Sequence, residues 1–182
     1  MTKNFTLSVA KESDVLVLSI PYENIDSLCS EILPVIKDNC VVVSPIVPMV
    51  KTDVGFEFIP IKENKPYSYQ LVSKYIKDKS KLVSAFHVIS EKKLVNPTLE
   101  LDYDIFVCGD DKNSVEVVNG LINEIQGLRP IYLGPGELSY MAEIATPSNN
   151  RANSHHDAAA KNCKELSNRR NLPLELLANF CA

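Results

Sequence analysis

Residues 14–20 read Asp14-Val-Leu-Val-Leu-Ser-Ile20, a nearly continuous apolar run that begins at a charged residue and is followed by Pro21. Strands buried on both faces of a sheet have this composition, because neither face meets water. The run therefore predicts a central strand, and the neighbouring segments indicate which kind of sheet it belongs to.

Helical and extended patterns alternate on the C-terminal side of this run. Apolar side chains recur every three or four residues from Ile25 to Ile36, which predicts a helix that Pro34 bends or ends. Similar patterns predict the remaining elements. These are helices at 68–79, 113–125 and, after Gly134-Pro135-Gly136, through 141–145; strands at 40–43, 81–85, 104–108 and 130–133; and a loop at 51–65 with an extended piece at 56–59.

Short strands that alternate with helices are typical of an α/β protein. A parallel strand can return only through a crossover long enough to hold a helix, so we predict a mostly parallel sheet with flanking helices. Asp110 and Asp111 stand where they can cap the start of the helix that follows. Gly127 stands where a left-handed residue would close that helix.

Composition limits the classes of function. The chain has 182 residues, which suits one domain, and 45% of them are hydrophobic. Its 23 acidic and 19 basic side chains give a net charge of −4, which disfavours nucleic acid and anionic membrane surfaces as partners. The sequence has no run of eighteen apolar residues, and its first residues lack a secretory pattern, so we expect a cytoplasmic protein.

The last 35 residues differ from the rest. Residues 148–182 are polar, with little apolar periodicity, and carry five basic against three acidic side chains. We expect residues 1–147 to form the α/β domain and residues 148–182 to form a disordered tail.

Cysteine and histidine patterns do not point to a metal. The five cysteines are scattered, without a Cys-x-x-Cys pair, so we expect reduced thiols, with Cys40 and Cys108 in the core. His155 and His156 are adjacent in the polar tail and have no third ligand at a useful spacing. We predict that no metal is bound.

Ligands of open α/β sheets bind beyond the carboxyl ends of the strands, which directs attention to the segments after each apolar run. His87 follows one predicted strand, and its position fits either a functional histidine or a structural one that hydrogen-bonds a neighbouring loop. The serines lack a Gly-x-Ser-x-Gly context, and the Gly-Pro-Gly turn at 134–136 is nonspecific. The nominated segments are residues 19–22, 44–48, 85–89, 109–111 and 134–136.

Taken in order, the strand-end segments resemble the NADPH-dependent reductases of the deazaflavin coenzyme F-420, within the wider group that includes pyrroline-5-carboxylate reductases. The resemblance implies an incomplete Rossmann-like fold and a cleft at the strand ends, in which a hydride passes between nicotinamide C4 and deazaflavin C5. The matching segments are Val-Leu-Ser-Ile-Pro-Tyr (17–22), Val-Val-Ser-Pro-Ile-Val-Pro (42–48), Val-Ser-Ala-Phe-His (83–87), Val-Cys-Gly-Asp-Asp (107–111), Gly-Leu-Arg-Pro (127–130) and Gly-Pro (134–135).

The resemblance also implies roles for individual residues. His87 would lie near the nicotinamide as the candidate catalytic residue, and no acid or base is obligatory, since hydride transfer depends on proximity, alignment and exclusion of water. The other implied cofactor-binding residues are Ile20, Pro21 and Tyr22 on the NADP side, and Ser44, Pro45, Ile46, Val47, Pro48, Ala85 and Ile89 beside the stacked rings.

The sequence departs from that family at both ends. Members begin with a strand, a Gly-rich turn over the pyrophosphate, a helix and a second strand, whereas none of the six glycines here forms Gly-x-Gly-x-x-Gly. After the Thr-Pro at 146–147, members continue into an apolar segment, whereas Ser148-Asn-Asn-Arg begins a polar tail here. We expect an N-terminally truncated reductase that binds NADP weakly and has little activity. The alternative is a noncatalytic α/β module that binds a partner or a small ligand. An exposed apolar strand would also favour association into a homo-oligomer.

Overall fold

A computed structural model describes residues 3–53, 55–60, 66–89 and 101–152. The strands and helices occur in the following order along the chain. They are α1 (Lys3–Glu12), β1 (Val15–Val17), α2 (Ile25–Ile32), β2 (Val41–Ser44), β3 (Met49–Thr52), β4 (Gly55–Phe58), α3 (Ser68–Val72), β5 (Leu82–Ser84), β6 (Tyr103–Gly109), α4 (Lys112–Asn123), β7 (Leu128–Gly134) and α5 (Ser139–Ala152).

Five strands form the main sheet in the order β1-β2-β5-β6-β7. The pairs β1–β2, β2–β5 and β6–β7 are parallel, and the pair β5–β6 is antiparallel. The predicted α/β class with a mostly parallel sheet is therefore confirmed.

The antiparallel pair divides the strand ends between two edges of the sheet. We call the edge where β1, β2 and β5 end the carboxyl edge, and the opposite edge the amino edge. Gly109, at the end of β6, pairs with Val83, and Asp111 lies 3.8 Å from the ammonium group of Lys81, which precedes β5. The expectation that residues 109–111 and 134–136 share an edge with His87 is therefore wrong, because an apolar run does not encode strand direction.

The prediction of a central strand at residues 14–20 is also wrong for the described sheet. The strand covers only Val15–Val17 and is the outermost strand on one side of the sheet, with Val17 51% exposed. Apolar composition favours burial, but a strand becomes central only when a neighbour pairs with each side. Among the described strands, β2 and β5 are buried at every position and therefore on both faces.

Both faces of the sheet are covered by helices. Successive residues of β2 point to opposite faces, so Val42 packs with the side chains of α2 and α3, whereas Val41 and Val43 pack with those of α4. The two apolar clusters hold the sheet between these layers and fix the loops that follow its strands.

Two local expectations need correction. The helix predicted at 68–79 ends at Val72, because the chain continues in tighter turns, in which the N–H of Lys74 donates to Leu71 and that of Tyr75 to Val72. The loop predicted at 51–65 contains a hairpin instead. The extended piece there is β4, and its partner β3 lay outside the predicted pattern.

Other local expectations are confirmed. The Asp111 carboxylate caps α4, accepting hydrogen bonds from the backbone N–H and the hydroxyl of Ser114, each at 2.8 Å. Gly127 has a φ of 83°. Helix α2 ends at Ile32, and Pro34 lies in the 3-10 turn Leu33–Val35 that follows it, as expected. Helix α5 extends to Ala152, across the predicted tail boundary at 147/148; residues 153–182 lie outside the described residues, and the disorder of the tail stays a prediction.

The cysteines of the described residues behave as small core residues. Cys29, Cys40 and Cys108 are free and buried. Burial raises the pKa of Cys29 to about 11 and that of Cys108 to about 12, so both stay protonated thiols. The burial of these three free cysteines confirms the expectation that they are core residues outside any disulfide.

Candidate functional site at the carboxyl edge

The carboxyl edge brings three of the nominated segments to one side of the sheet. Because β1, β2 and β5 are parallel, residues 18–22, 44–48 and 85–89 all leave the sheet at this edge. Backbone hydrogen bonds join neighbouring segments, from Leu18 N–H to the carbonyl of Val43 at 2.9 Å and from Ala85 N–H to that of Ser44 at 3.3 Å. The ends of these strands are thus fixed relative to one another.

Three polar side chains are buried where β2 and β5 end. Ser44 and Ser84 are register partners, so their side chains point to the same face. Ser84 Oγ lies 3.1 Å from Nε2 of His87. Ser44 Oγ is buried and has no hydrogen-bond partner among the described residues. A buried hydroxyl of this kind is costly unless a bound molecule satisfies it.

The imidazole of His87 is uncharged at neutral pH. The residue is 6% exposed, and burial lowers its pKa from 6.5 to about 4. A neutral imidazole offers one donor and one acceptor but no proton to release as a cation. His87 therefore has the contact to Ser84 that a structural histidine needs, and its catalytic role stays a prediction.

The backbone immediately before His87 is strained. Phe86 has a φ of 67°, in the left-handed region that bulky residues rarely adopt. Such strain persists where the surroundings impose it, and it is concentrated at ligand sites. Packing of Phe86 against the apolar cluster beneath α4 supplies that constraint.

Tyr22 connects the end of β1 with the start of α3. Its hydroxyl donates to the carbonyl of Pro66 at 2.5 Å, across 44 positions of sequence. The ring is half-buried against the core cluster. Burial raises the pKa of its hydroxyl, and the nearby carboxylate of Glu143 raises it further. Tyr22 is therefore a fixed, protonated side chain beside the carboxyl edge.

Sequence reasoning missed Glu143, whose side chain is fully buried. Its carboxylate accepts hydrogen bonds from the backbone N–H groups of Ser68 at 2.7 Å and Tyr69 at 3.2 Å, and from the Ser139 hydroxyl at 3.3 Å. Burial raises its pKa to about 7, although the bonds from Ser68 and Tyr69 oppose the rise. The sequence signal that could have revealed it is the spacing of Ser139, Ala142 and Glu143. Residues at i, i+3 and i+4 share one face of a helix, and this face of α5 is buried.

The amino edge has its own polar link. Asp110 accepts hydrogen bonds from the backbone N–H of Gly136 at 2.9 Å and from the Tyr69 hydroxyl at 3.3 Å. The nominated turns at 109–111 and 134–136 therefore bind each other and α3. This arrangement accounts for their polar residues without a ligand.

A cavity of about 180 Å³ also lies at the amino edge, next to the residues that precede β2 and β5. Leu33, Cys40 and Ile76 are among the residues that line it. Its lysines are paired with acids, Lys37 with Asp14 at 2.8 Å and Lys81 with Asp111 at 3.8 Å. This cavity lies away from the residues that the sequence nominated for cofactor binding.

The described part of the chain contains neither a cluster of metal-ligating side chains nor a helix suited to crossing a membrane. No three His, Cys, Asp or Glu side chains within it are grouped as metal ligands. None of its helices combines the length and the apolar character that spanning a bilayer requires.

Comparison with known proteins identifies relatives. A protein of Methanocaldococcus jannaschii named F420-dependent NADP reductase is 35% identical over 138 residues, which cover 76% of this chain and 61% of that protein. This chain thus spans about three fifths of the length of that relative. No protein-family model matches.

Solved structures share the fold. A protein of Arthrobacter sp. FB24 assigned as an F420-dependent NADP reductase has a TM-score of 0.63 at 18% identity, covering 80% of this chain and 66% of that one. Pyrroline carboxylate reductase of Plasmodium falciparum, solved with NADP bound, has a TM-score of 0.53 at 14% identity, covering 100% of this chain and 57% of that one. At these identities the likeness concerns the fold.

The sheet order, the flanking helices and these structural neighbours define a Rossmann-like α/β fold. The similarity to the M. jannaschii protein is more specific, since the sequence identity reaches 35% over three quarters of the chain. The chain is thus similar to the F420-dependent NADP reductases over most of its own length.

Proposed function

We propose that this chain takes part in hydride transfer between NADP(H) and the deazaflavin coenzyme F-420. The observation that carries the proposal is the convergence of residues 18–22, 44–48 and 85–89 at one edge of the sheet, in a chain similar to an F420-dependent NADP reductase. Ligands of open α/β sheets bind outside such an edge. The redox cofactors would be the substrates of the protein.

The proposed roles follow the three segments. Ile20, Pro21 and Tyr22 contact the NADP side, and Ser44 to Pro48 with Ala85 and Ile89 flank the two rings. His87 lies near the nicotinamide, where a neutral imidazole would orient the ring without adding charge. Apolar walls suit the reaction, because hydride transfer needs aligned rings and an absence of water.

Two features support a ligand at this edge. The Ser44 hydroxyl is a buried hydrogen-bonding group that the described residues leave unsatisfied, and a ring carbonyl or carboxamide could satisfy it. The strained φ of Phe86 is typical of segments that shape a binding site. Ser44 is itself one of the nominated residues, and Phe86 lies between two others, Ala85 and His87.

The residues proposed to bind the cofactors suit the rings of NADPH and F-420 better than their phosphate groups. The sequence contains no Gly-x-Gly-x-x-Gly turn, and its net charge is −4. Helix N-termini and Gly-rich turns provide much of the affinity for a dinucleotide pyrophosphate. We therefore expect NADPH to bind these 182 residues more weakly than a complete dinucleotide site would bind it.

Separate titrations test the proposal. The purified chain is titrated with F-420 and, independently, with NADPH, following the fluorescence of each cofactor, and Ser44→Ala is compared with Ser30→Ala. Ser30 lies exposed on α2 and bonds only its own helix, so it is the matched control. Binding that Ser44→Ala weakens and Ser30→Ala retains supports the proposal. No binding of either cofactor to the unaltered chain refutes it.

A noncatalytic interaction module is the second candidate, and the exposed edge of β1 favours it. Val17 is 51% exposed on that edge strand, and such a strand can pair with another chain. Sedimentation velocity over a range of concentrations tests this candidate, because Val17→Lys should abolish any self-association through β1. Association that persists unchanged in Val17→Lys would argue against an interface at this edge.

A further inference from the structure

We propose that Glu143 is a positioning residue for the carboxyl-edge site, holding the first turn of α3 so that the Pro66 carbonyl fixes the hydroxyl of Tyr22. The inference rests on the proposed function, in which Tyr22 lines the NADP side of the cleft. It assigns a role to a side chain that no motif or comparison singled out.

Helix α3 needs a partner from elsewhere in the chain. It has five residues, and helices of that length do not persist alone in water. The first N–H groups of any helix lack partners within it, and Tyr67 at the N-cap gives no side-chain hydrogen bond. Glu143 supplies the missing acceptors from 75 positions away, with both oxygens of its carboxylate.

A second contact from α5 holds the residue between Pro66 and Ser68. The ring of Tyr67 meets that of Tyr140 edge to face, with the ring centroids 6.1 Å apart and the planes at 63°. Such pairs have a defined geometry, so they restrict rotation as well as distance. Helix α5 therefore holds residues 66–69 through two contacts, one from Tyr140 and one from Glu143.

The route from α3 to the site is short and direct. The Pro66 carbonyl lies two residues before Ser68, and it accepts the hydrogen bond of Tyr22 at 2.5 Å. Tyr22 in turn begins the 3-10 turn that follows the end of β1. A shift of the first turn of α3 would move the acceptor of this bond, and the Tyr22 ring would lose its fixed orientation beside the cleft.

The main test compares two carboxylate caps in the same chain. Glu143→Gln keeps the shape of the side chain but places an amide N–H₂ opposite one of the two backbone N–H donors. Asp111→Asn is the matched control, since Asp111 also caps a helix through a backbone N–H and a serine hydroxyl, but at the amino edge. If Glu143→Gln has an effect and Asp111→Asn has none, the effect depends on where the cap lies in the fold. It is then not a general effect of losing a helix cap.

The first readout is the nuclear magnetic resonance signal of the Tyr22 ring, with Tyr22→Phe used for its assignment. We expect Glu143→Gln to shift or broaden this signal and Asp111→Asn to leave it unchanged. An unchanged Tyr22 signal in folded Glu143→Gln would overturn the proposal. If that variant does not fold, Glu143→Asp, which keeps the charge but shortens the side chain, is read by the same criterion.

The second readout is cofactor affinity. We expect Glu143→Gln to raise the dissociation constant for NADPH by about threefold to tenfold, the effect of one hydrogen bond, with Asp111→Asn close to the unaltered chain. In the double variant Glu143→Gln/Tyr22→Phe the effects should not multiply, because both changes interrupt one route. Fully multiplicative effects would contradict the proposal. If the unaltered chain binds no cofactor, the proposed function fails, while the Tyr22 signal still decides the role of Glu143.

Discussion

The hydroxyl end of the Tyr69 ring occupies the space in which a side chain at Gly136 would begin. A Cβ atom built on Gly136 would overlap the hydroxyl oxygen and Cζ of Tyr69, and the Gly136 N–H and the Tyr69 hydroxyl both donate to Asp110. The turn before α5 and the helix α3 are therefore locked together at a point where only glycine fits.

Gly136→Ala should destabilise the protein by about 2 kcal/mol or more, because the buried Tyr69 ring must move and its hydrogen bond must stretch. Urea denaturation followed by circular dichroism measures the change. Gly120→Ala is the control: position 120 lies in α4, a Cβ there meets nothing within 4 Å, and alanine should stabilise the helix by roughly 0.5–1 kcal/mol. Equal effects of the two changes would contradict the contact with Tyr69.

Asp111→Ala should lower the free energy of unfolding by about 1 kcal/mol, because the first turn of α4 loses its capping acceptor. Asp38→Ala provides the comparison. Asp38 is highly exposed and pairs with Lys77 at 3.9 Å, so its removal should cost less than about 0.5 kcal/mol. Chemical denaturation of both variants shows which one loses more stability. A larger loss in Asp38→Ala would refute the role of Asp111 as the cap of α4.

Ser44→Ala should separate stability from affinity. Removing a buried hydroxyl without a partner relieves a desolvation cost, so the free protein should become up to about 1 kcal/mol more stable. The same change should weaken cofactor binding by about threefold to tenfold if the ligand uses that hydroxyl. Thermal unfolding and the fluorescence titrations measure the two quantities. A stabilised variant with unchanged affinity would mean that the cofactor does not contact Ser44.

Local periodicity revealed the elements but not their arrangement. The strands at β2, β5, β6 and β7 and the helix α4 were predictable, because each depends on side chains close in sequence. The reversal between β5 and β6 was not, since local periodicity does not encode the direction of a strand. The same holds for the position of β1, because the neighbours of a strand are a tertiary property.

The candidate site shows the same division. Residues 44–48 and 85–89 were found because each follows an apolar run, and parallel strands end at one edge. The bond from Tyr22 to Pro66 and the bonds from Ser68 and Tyr69 to Glu143 join residues far apart in sequence. Only the folded chain brings such pairs together, although a glutamate among the small buried residues of a helix is a signal worth following.

The last prediction concerns the dependence of stability on pH, to which two buried groups contribute with opposite sign. His87 has its pKa lowered from 6.5 to about 4, so the unfolded chain binds more protons in this range and stability falls as the pH falls from 6.5 to 4. Glu143 has its pKa raised from 4.5 to about 7, so the folded chain binds more protons there and stability rises as the pH falls from 7 to 4.5.

The two contributions oppose each other between pH 4.5 and 6.5. Each can amount to about 1.4 kcal/mol per pH unit, so removing one should expose the other. Relative to the unaltered chain, Glu143→Gln should lose stability on acidification across this window, and His87→Gln should gain it. Urea denaturation at pH 4.5, 5.5 and 6.5 measures both differences. Parallel curves for all three proteins would mean that neither group titrates differently in the folded and unfolded chain.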